Sequence, residues 1–264
     1  MRSETKVERI TRRIYSCVAM LELCVTLAAC HAPKSATLTL SVAASLKDAI
    51  VEVEAAYNQD HPAIGFRNNF GSSGTLAGEI EQGAPVDAFV SAASRQMNDL
   101  EAKGLIAPGT RRDLLRNELV LIAPPDSQLR DFEGLTDRSV RLIALGDPGS
   151  VPAGEYGRQT LQALHLYDKI GAKLVLGKDV RQVLTYVETG NTDAGLVYST
   201  DARISGKVRV VAVAPESTHD PIVYPAAVLK SSRHPEAARK FTDFLGSPTA
   251  KAIFIKHGFT IASS

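Results

Sequence analysis

The chain has 264 residues, of which 44% are hydrophobic and 22% are charged, and its formal net charge is +1. This composition is that of an ordinary globular protein, and the length suffices for one large domain or two modest ones. The nearly balanced charge gives no indication of binding to nucleic acid or to an anionic membrane surface.

The first 29 residues have the pattern of a secretory signal peptide, with a basic head before a mostly apolar run over 14–29. The ending Leu27-Ala28-Ala29-Cys30 resembles the lipobox of bacterial lipoproteins, in which the cysteine is lipidated and becomes the mature N-terminus. We therefore expect export to the periplasm or cell surface with a lipid anchor at Cys30, in preference to plain export. A transmembrane anchor is disfavoured because the run is short and contains Glu22.

All three cysteines (Cys17, Cys24 and Cys30) lie within the first 30 residues, so we expect no disulfide in the mature body. Removal of residues 1–29 takes away five basic and three acidic residues and leaves a formal charge of −1. A strongly cationic anion trap is thereby excluded, and any anion site has to be local. The six histidines show no metal-ligand spacing.

From residue 37 onward, strand and helix patterns alternate. Strands are predicted over 37–42, 64–69 and 88–90, each followed by a helical pattern. Ser45 occupies an N-cap position, and Asp48 three residues later completes something close to a capping box. This succession is typical of a doubly wound parallel sheet.

The buried strand 119–123, closed by Pro124-Pro125, is interpreted as the first crossing into a second domain. The alternation repeats there, with strands over 140–145, 173–176, 194–197 and 208–213 and helices over 155–164 and 180–189. The strand 222–229 is interpreted as the returning crossing. Two amphipathic helices, 235–245 and 248–256, return to the first domain.

The predicted fold class is therefore α/β, with two lobes joined by two crossing segments and each lobe a mostly parallel sheet flanked by helices. The predicted divisions are a signal peptide (1–29), a tether (30–36), a first lobe (37–122 and 224–264) and a second lobe (123–223).

The stretch Phe70-Gly71-Ser72-Ser73-Gly74-Thr75-Leu76 combines glycines, hydroxyls and a helix start. Orphan amides and the helix dipole favour an anion at such a place, although an ordinary capped helix fits the pattern as well. Three further turns, at 43–45, 151–154 and 178–180, also follow predicted strands. A cleft between the lobes would bring these turns and Tyr198 onto one small ligand.

Motifs along essentially the whole mature chain resemble the molybdate-binding proteins of bacterial ABC-type importers. They are Ala43-Ala44-Ser45-Leu46, the 70–76 stretch, Gly83-Ala84-Pro85-Val86-Asp87, Gly146-Asp147-Pro148, Val151-Pro152-Ala153-Gly154, Asp179-Val180-Arg181, 195–202, Tyr224-Pro225 and His257-Gly258-Phe259. The resemblance implies a receptor that captures molybdate or tungstate and delivers it to an ABC permease in the inner membrane. It implies no cofactor and no direct protein ligand to the metal, and we expect a monomer.

The resemblance assigns the oxyanion to hydroxyls and main-chain amides at Ser45, Ser73, Ala153, Val180 and Tyr198. Taken alone, these residues also fit plainer roles, such as a helix cap for Ser45 and a core or rim position for Tyr198. Their side chains and amides offer only neutral donors.

Two residues adjacent in sequence to the proposed site residues have expectations of their own. Gly74 stands where a third serine is common in the family, and we expect little effect because Ser73 is the matching donor. Asp179 is predicted to cap its helix with its carboxylate turned away from the anion, because like charges repel.

Enzyme functions are disfavoured by missing motifs. Ser73 has no Gly-x-Ser-x-Gly elbow around it, and Glu155 stands where a P-loop requires lysine. A sulfate or phosphate receptor of the same architecture is the closer alternative.

Overall fold

A computed structural model describes residues 36–262 of the chain, so the predicted signal peptide and Cys30 lie outside the described residues. The strands, numbered along the chain, are β1 (Ala36–Ala43), β2 (Ile64–Gly71), β3 (Ala88–Val90), β4 (Arg112–Arg116), β5 (Leu119–Ala123), β6 (Ile143–Gly146), β7 (Leu174–Gly177), β8 (Ala194–Tyr198), β9 (Arg209–Val213), β10 (Val223–Val228) and β11 (Thr260–Ile261).

The helices are α1 (Lys47–Asp60), α2 (Ser73–Glu81), α3 (Ser94–Ala102), α4 (Pro152–Ala163), α5 (Tyr167–Ile170), α6 (Val180–Glu188), α7 (Ser199–Arg203), α8 (Pro235–Phe244) and α9 (Pro248–Lys256). Short 3-10 turns cover Ala44–Leu46, Glu133–Thr136, Gly171–Lys173 and Glu216–Thr218. Within residues 36–262, every helix is too short or too polar to span a lipid bilayer.

The strands form two sheets, which define two lobes. The sheet of the first lobe has six strands in the order β11-β4-β10-β3-β1-β2, and that of the second has five in the order β7-β6-β8-β5-β9. The chain crosses between the sheets twice, at 117–118 and at 214–222. The predicted two-lobed α/β architecture is thereby confirmed.

The sheets are mixed rather than mostly parallel as predicted. β1 pairs in parallel with β2 and β3, and β6 pairs in parallel with β7 and β8. The strands next to each crossing run the other way: β10 is antiparallel to β3 and β4, and β5 is antiparallel to β8 and β9. A strand that enters a lobe by a short link, without a crossover helix, is free to pair antiparallel.

The predicted lobe boundary at residue 122 is wrong by one strand. All five residues of β5 are buried, and they pair on both edges within the second sheet. The last strand of the first lobe before this crossing is β4, which sequence analysis missed because only Leu114 and Leu115 of its five residues are buried. The first crossing is therefore the two-residue link 117–118.

The predicted N-cap role of Ser45 is also wrong. Ser45 lies inside the 3-10 turn Ala44–Leu46, and neither this turn nor α1 has a side-chain cap. Its hydroxyl bonds instead to Tyr224, 179 residues away in the sequence. By contrast, the predicted cap at Asp179 is confirmed, since its carboxylate accepts from the Gln182 amide at 2.8 Å.

The C-terminal helices pack on the first lobe through aromatic contacts. The ring of Phe241 in α8 lies 5.3 Å from Tyr57 of α1 and 4.7 Å from Phe66 of β2, measured between centroids. Burial of such large side chains contributes substantially to stability, and it ties the chain after the second crossing to the chain before the first.

Candidate ligand-binding site

The candidate site lies where three adjacent parallel strands of each sheet end. In the first lobe β1 lies between β2 and β3, and in the second β6 lies between β7 and β8. The segments that follow these strands line a small cavity between the lobes. Ligands of open α/β sheets bind at the carboxyl ends of strands, so the topology itself marks this place.

All five residues that sequence analysis proposed line this one cavity: Ser45, Ser73, Ala153, Val180 and Tyr198. The first two belong to the first lobe and the other three to the second. The structure therefore brings together residues that are up to 153 positions apart in the sequence. Their role in binding a ligand stays a prediction.

Ser73 is fully buried at the first position of α2. Its hydroxyl oxygen accepts a hydrogen bond from the Ala92 amide at 2.9 Å. A backbone N–H can only donate, so the hydroxyl proton of Ser73 is free for another acceptor. Because Ser73 lines the cavity, the geometry makes it a donor toward a ligand.

Tyr198 ends β8 and is almost fully buried. Its hydroxyl donates to the Ala92 carbonyl at 3.3 Å, which is longer than a usual O–H···O bond. Burial raises the pKa of Tyr198 well above its ordinary value, so the phenol keeps its proton and remains a donor. A ligand oxygen in the cavity would compete with a weak partner for this proton.

Two helix starts supply main-chain donors. In α4, Pro152 has no N–H, and the amides of Gly154 and Glu155 bond to the Val151 carbonyl at 2.9 and 3.0 Å. The Ala153 amide is left without an acceptor among residues 36–262. Such an orphan donor at a helix N-terminus suits an anion.

The start of α6 is arranged in the same way. Asp179 accepts from the amides of Gln182 and Val183 through its carboxylate and its carbonyl, at 2.8 and 3.3 Å. The Val180 amide has no acceptor in the described part of the chain. Since Asp179 is engaged as a cap, it does not line the cavity.

The cavity lining is electrically neutral across residues 36–262, and a cation, Arg181, contacts the lining residue Ser45. Arg181 of α6 reaches across to the first lobe, where its guanidinium donates to the Asp48 carboxylate at 2.8 Å and to the Ser45 carbonyl at 3.3 Å. Its Nε also lies 2.6 Å from the buried carboxylate of Asp201. Burial raises the pKa of Asp201 to about 6, and the arginine partly opposes this rise.

The two lobes also meet directly beside the cavity. The Gly74 amide of α2 donates to the Ser150 carbonyl of the second lobe at 2.9 Å. Arg95 and Glu155 form an ion pair of 3.2 Å between the lobes. A Cβ on Gly74 would overlap the Ser150 carbonyl and lie 2.8 Å from its Cα. Gly74, to which the sequence analysis assigned little effect, therefore permits this lobe contact.

Sequence analysis missed Ala92 as a part of the site. Its amide and its carbonyl are the partners of Ser73 and Tyr198, and it lines the cavity. It follows β3, whose carboxyl end lies beside that of β1. The rule that ligand-binding turns follow the carboxyl ends of strands could have identified Ala92, but its side chain gives no signal.

A larger cavity, with an empty volume of about 1150 Å³, lies elsewhere in the second lobe. It is lined by Asp126, Asp131, Asp137 and Asp193, among others, and contains none of the five proposed residues. Val140 and Asp193 precede β6 and β8, so this depression is at the amino ends of the parallel strands. Its position and its acidic lining make it a poor candidate for an anion.

Two α/β lobes that enclose a small neutral cavity of hydrogen-bond donors define a solute-binding protein. The chain belongs to the family of bacterial extracellular solute-binding proteins, whose model matches residues 38–260. Members of such a family bind and transport solutes and are not an enzyme family.

Individual relatives cover nearly the whole chain. It is 48% identical over 229 residues to YvgL of Bacillus subtilis (strain 168), provisionally named an ABC transporter substrate-binding lipoprotein, with 86% of this chain and 87% of that one aligned. It is 39% identical over 231 residues to the molybdate-binding protein ModA of Haemophilus influenzae, covering 86% and 91% of the two chains. The solved periplasmic molybdate-binding protein of Azotobacter vinelandii superposes with a TM-score of 0.77 at 26% identity, covering 86% of this chain and 100% of that one.

We predict that Gly74→Ala disfavours the contact between the lobes. Overpacking of this kind costs about 1–3 kcal/mol, which lowers the ratio of closed to open molecules by about tenfold or more. Spin labels on cysteines introduced at the exposed positions Val51 and Leu176, one in each lobe, measure the separation by pulsed electron paramagnetic resonance.

Gly78→Ala is the matched control, because Gly78 lies in the same helix with open space where a Cβ would be. It should leave the label distance unchanged and raise stability by up to about 1 kcal/mol. Equal label distances in the Gly74 and Gly78 variants would contradict the role of Gly74 in the lobe contact.

Proposed function

We propose that this protein captures molybdate in the cavity between its lobes and delivers it to the permease of an ABC transporter. The observation that carries the proposal is the convergence, on one neutral cavity at the lobe interface, of the five residues that the family resemblance assigns to the oxyanion. The similarity to proteins named as molybdate-binding supports the choice of ligand.

The chemistry of the lining supports a fully ionised oxyanion. A tetrahedral anion presents acceptors in several directions, and donors face the cavity from both lobes. Ser45 and Ser73 are on one side, and Ala153, Val180 and Tyr198 are on the other. Neutral donors and helix N-termini can stabilise such a charge without a cation in the site.

Tungstate is proposed as a second ligand. It has the charge and shape of molybdate, and hydrogen bonds to oxygen atoms do not distinguish the two central metals. The metal is accordingly held only through its oxyanion, and no cofactor takes part in the proposed function.

The proposal extends to the place where the protein acts. A lipid on Cys30 would tether the receptor at the outer face of a membrane, beside its permease, and the lipoprotein name of a relative supports this. We further propose that the receptor acts as a monomer, with the 30–36 segment as its tether.

The proposed function predicts a distinct order of oxyanion affinities. Molybdate and tungstate should bind tightest. Phosphate, which keeps at least one proton near pH 7, should bind at least tenfold to a hundredfold more weakly. Its P–O–H needs an acceptor, and an unmatched buried polar group costs about 1–3 kcal/mol. Isothermal titration calorimetry of the four anions molybdate, tungstate, sulfate and phosphate on one preparation measures this.

Phosphate binding as tight as molybdate binding would contradict the proposal and favour a phosphate receptor. Sulfate carries no proton under these conditions, so only the size of the closed cavity can exclude it. Tight sulfate binding with weak molybdate binding would identify the sulfate alternative.

Removal of individual donors should weaken molybdate binding. Ser45→Ala, Ser73→Ala and Tyr198→Phe should each cost about 1.5–3 kcal/mol, or roughly tenfold to a hundredfold in Kd. Calorimetric titration of each variant gives the change, and thermal unfolding checks that the fold is retained.

Two matched controls share the chemistry but lie outside the cavity. Ser41→Ala removes a fully buried hydroxyl of β1, and Tyr156→Phe removes a buried phenol of α4. Both should bind molybdate within about threefold of the wild type. Site variants that bind no more weakly than these controls would overturn the site assignment.

The lipid anchor at Cys30 has its own prediction. The wild-type protein should partition with membranes and carry a lipid that mass spectrometry detects on its N-terminal peptide. Cys30→Ser should remain unprocessed by the lipoprotein pathway. Wild-type protein found wholly in the soluble exported fraction, without lipid, would refute the anchor and leave the binding function intact.

A further inference from the structure

A buried chain of hydrogen bonds runs from the first crossing segment to the wall of the cavity. Asn117, on the two-residue link between the lobes, lies with its amide nitrogen 3.1 Å from the hydroxyl of Tyr224. The Tyr224 hydroxyl lies 3.0 Å from the hydroxyl of Ser45, which lines the cavity. Tyr224 and Ser45 are both buried.

The orientation of the Asn117 amide is fixed by its other contacts. Its carbonyl oxygen accepts from the Glu118 amide at 2.9 Å and from the Ser199 hydroxyl at 3.1 Å. The amide nitrogen therefore faces Thr200 and Tyr224, at 2.9 and 3.1 Å. An amide nitrogen can only donate, so one of its two protons goes to each of these hydroxyls.

This arrangement sets the direction of the remaining bonds. The Tyr224 hydroxyl accepts from Asn117, and Ser45 is the other hydrogen-bond partner that it has among residues 36–262. We therefore assign its single proton to the Ser45 oxygen. Burial raises the pKa of Tyr224 far above its ordinary value, so this proton is retained. The proton of Ser45 is then left to point into the cavity.

We propose that Asn117 and Tyr224 are positioning residues that make Ser45 a donor and thereby select oxyanions without a proton. The inference rests on the proposed function and deepens it, because it names the residues that set the polarity of one wall of the site. Neither residue touches the cavity.

Ser73 provides an internal comparison within the same site. Its oxygen accepts from the Ala92 backbone amide, which cannot be turned into an acceptor. The direction in which the Ser73 hydroxyl donates is thus fixed by the main chain, whereas the direction in which Ser45 donates depends on a side-chain amide. A single substitution at residue 117 can therefore reverse one donor and leave the other unchanged.

Asn117→Asp is the decisive variant, because a carboxylate oxygen in place of the amide nitrogen accepts instead of donating. Tyr224 then donates to residue 117, Ser45 donates to Tyr224, and a lone pair of Ser45 faces the cavity. Molybdate loses a donor, whereas the P–O–H of hydrogen phosphate gains an acceptor.

The measurement is the ratio of the phosphate Kd to the molybdate Kd, taken at about pH 8 by calorimetry and competition. Both anions are then mainly dianions, so the added charge at residue 117 weakens both alike and cancels in the ratio. Asn117→Asp should lower the ratio by about tenfold or more relative to the wild type. If the wild type prefers sulfate, sulfate replaces molybdate as the proton-free reference.

Two further variants separate this effect from a structural role of Asn117 in the two-residue link between the lobes. Tyr224→Phe breaks the chain without reversing it, so Ser45 can turn either way and the ratio should fall by about two- to fivefold. In a Ser45→Ala background, Asn117→Asp should change the ratio by less than about twofold, because the group through which it acts is absent.

The wild-type titration tests the proposed function, and the change of the ratio in the variants tests the inference. A folded Asn117→Asp variant with the wild-type ratio would overturn the inference, as would an equal effect with and without Ser45. Should Asn117→Asp not fold, an unchanged ratio in Tyr224→Phe would overturn it.

Discussion

The arrangement of this protein follows from one constraint, which is that a charge taken out of water must find partners on every side. The partners that we propose here are neutral donors that line a small cavity between the lobes. Three adjacent parallel strands in each lobe end at it, so turns and helix starts converge from two directions. No single sheet edge could surround a ligand in this way, which gives a physical reason for two lobes.

A serine in the cavity wall does not by itself make a donor site, since its hydroxyl can accept a hydrogen bond as well as donate one. The Ser73 oxygen accepts from the Ala92 amide, and the Ser45 hydroxyl lies 3.0 Å from the Tyr224 hydroxyl, which donates to it in our proposal. The groups behind the cavity wall thereby determine whether each serine presents a proton or a lone pair to the ligand. One of these arrangements is local to the first lobe, and the other is connected through Asn117 to the two-residue link between the lobes.

Much of this could be predicted from the sequence, and the exceptions have physical reasons. Strands with continuous apolar runs, such as β5, were located, because burial on both faces leaves a clear pattern. The lobe to which β5 belongs depends on its pairing with β8 and β9, and no local pattern encodes pairing partners. Likewise, Ser45 has the sequence context of a helix cap, and only the distant Tyr224 gives its hydroxyl another partner.

The candidate site could be proposed where a family motif covers it, and it was hidden where the main chain would supply the chemistry. Ala153 and Val180 offer only their amides, so their side chains carry no signal without the resemblance. Ala92 lies outside every quoted motif, yet its amide donates to Ser73 and its carbonyl accepts from Tyr198.

The bond between the Ala92 carbonyl and Tyr198 has a kinetic consequence. Because the Ala92 carbonyl belongs to the first lobe and its partner Tyr198 to the second, separating the lobes breaks this bond and uncovers the cavity in one motion. For a solute that leaves only when the lobes separate, the residence time follows the rate of lobe opening rather than the strength of any one hydrogen bond. Rapid unloading then requires a partner that holds the lobes apart.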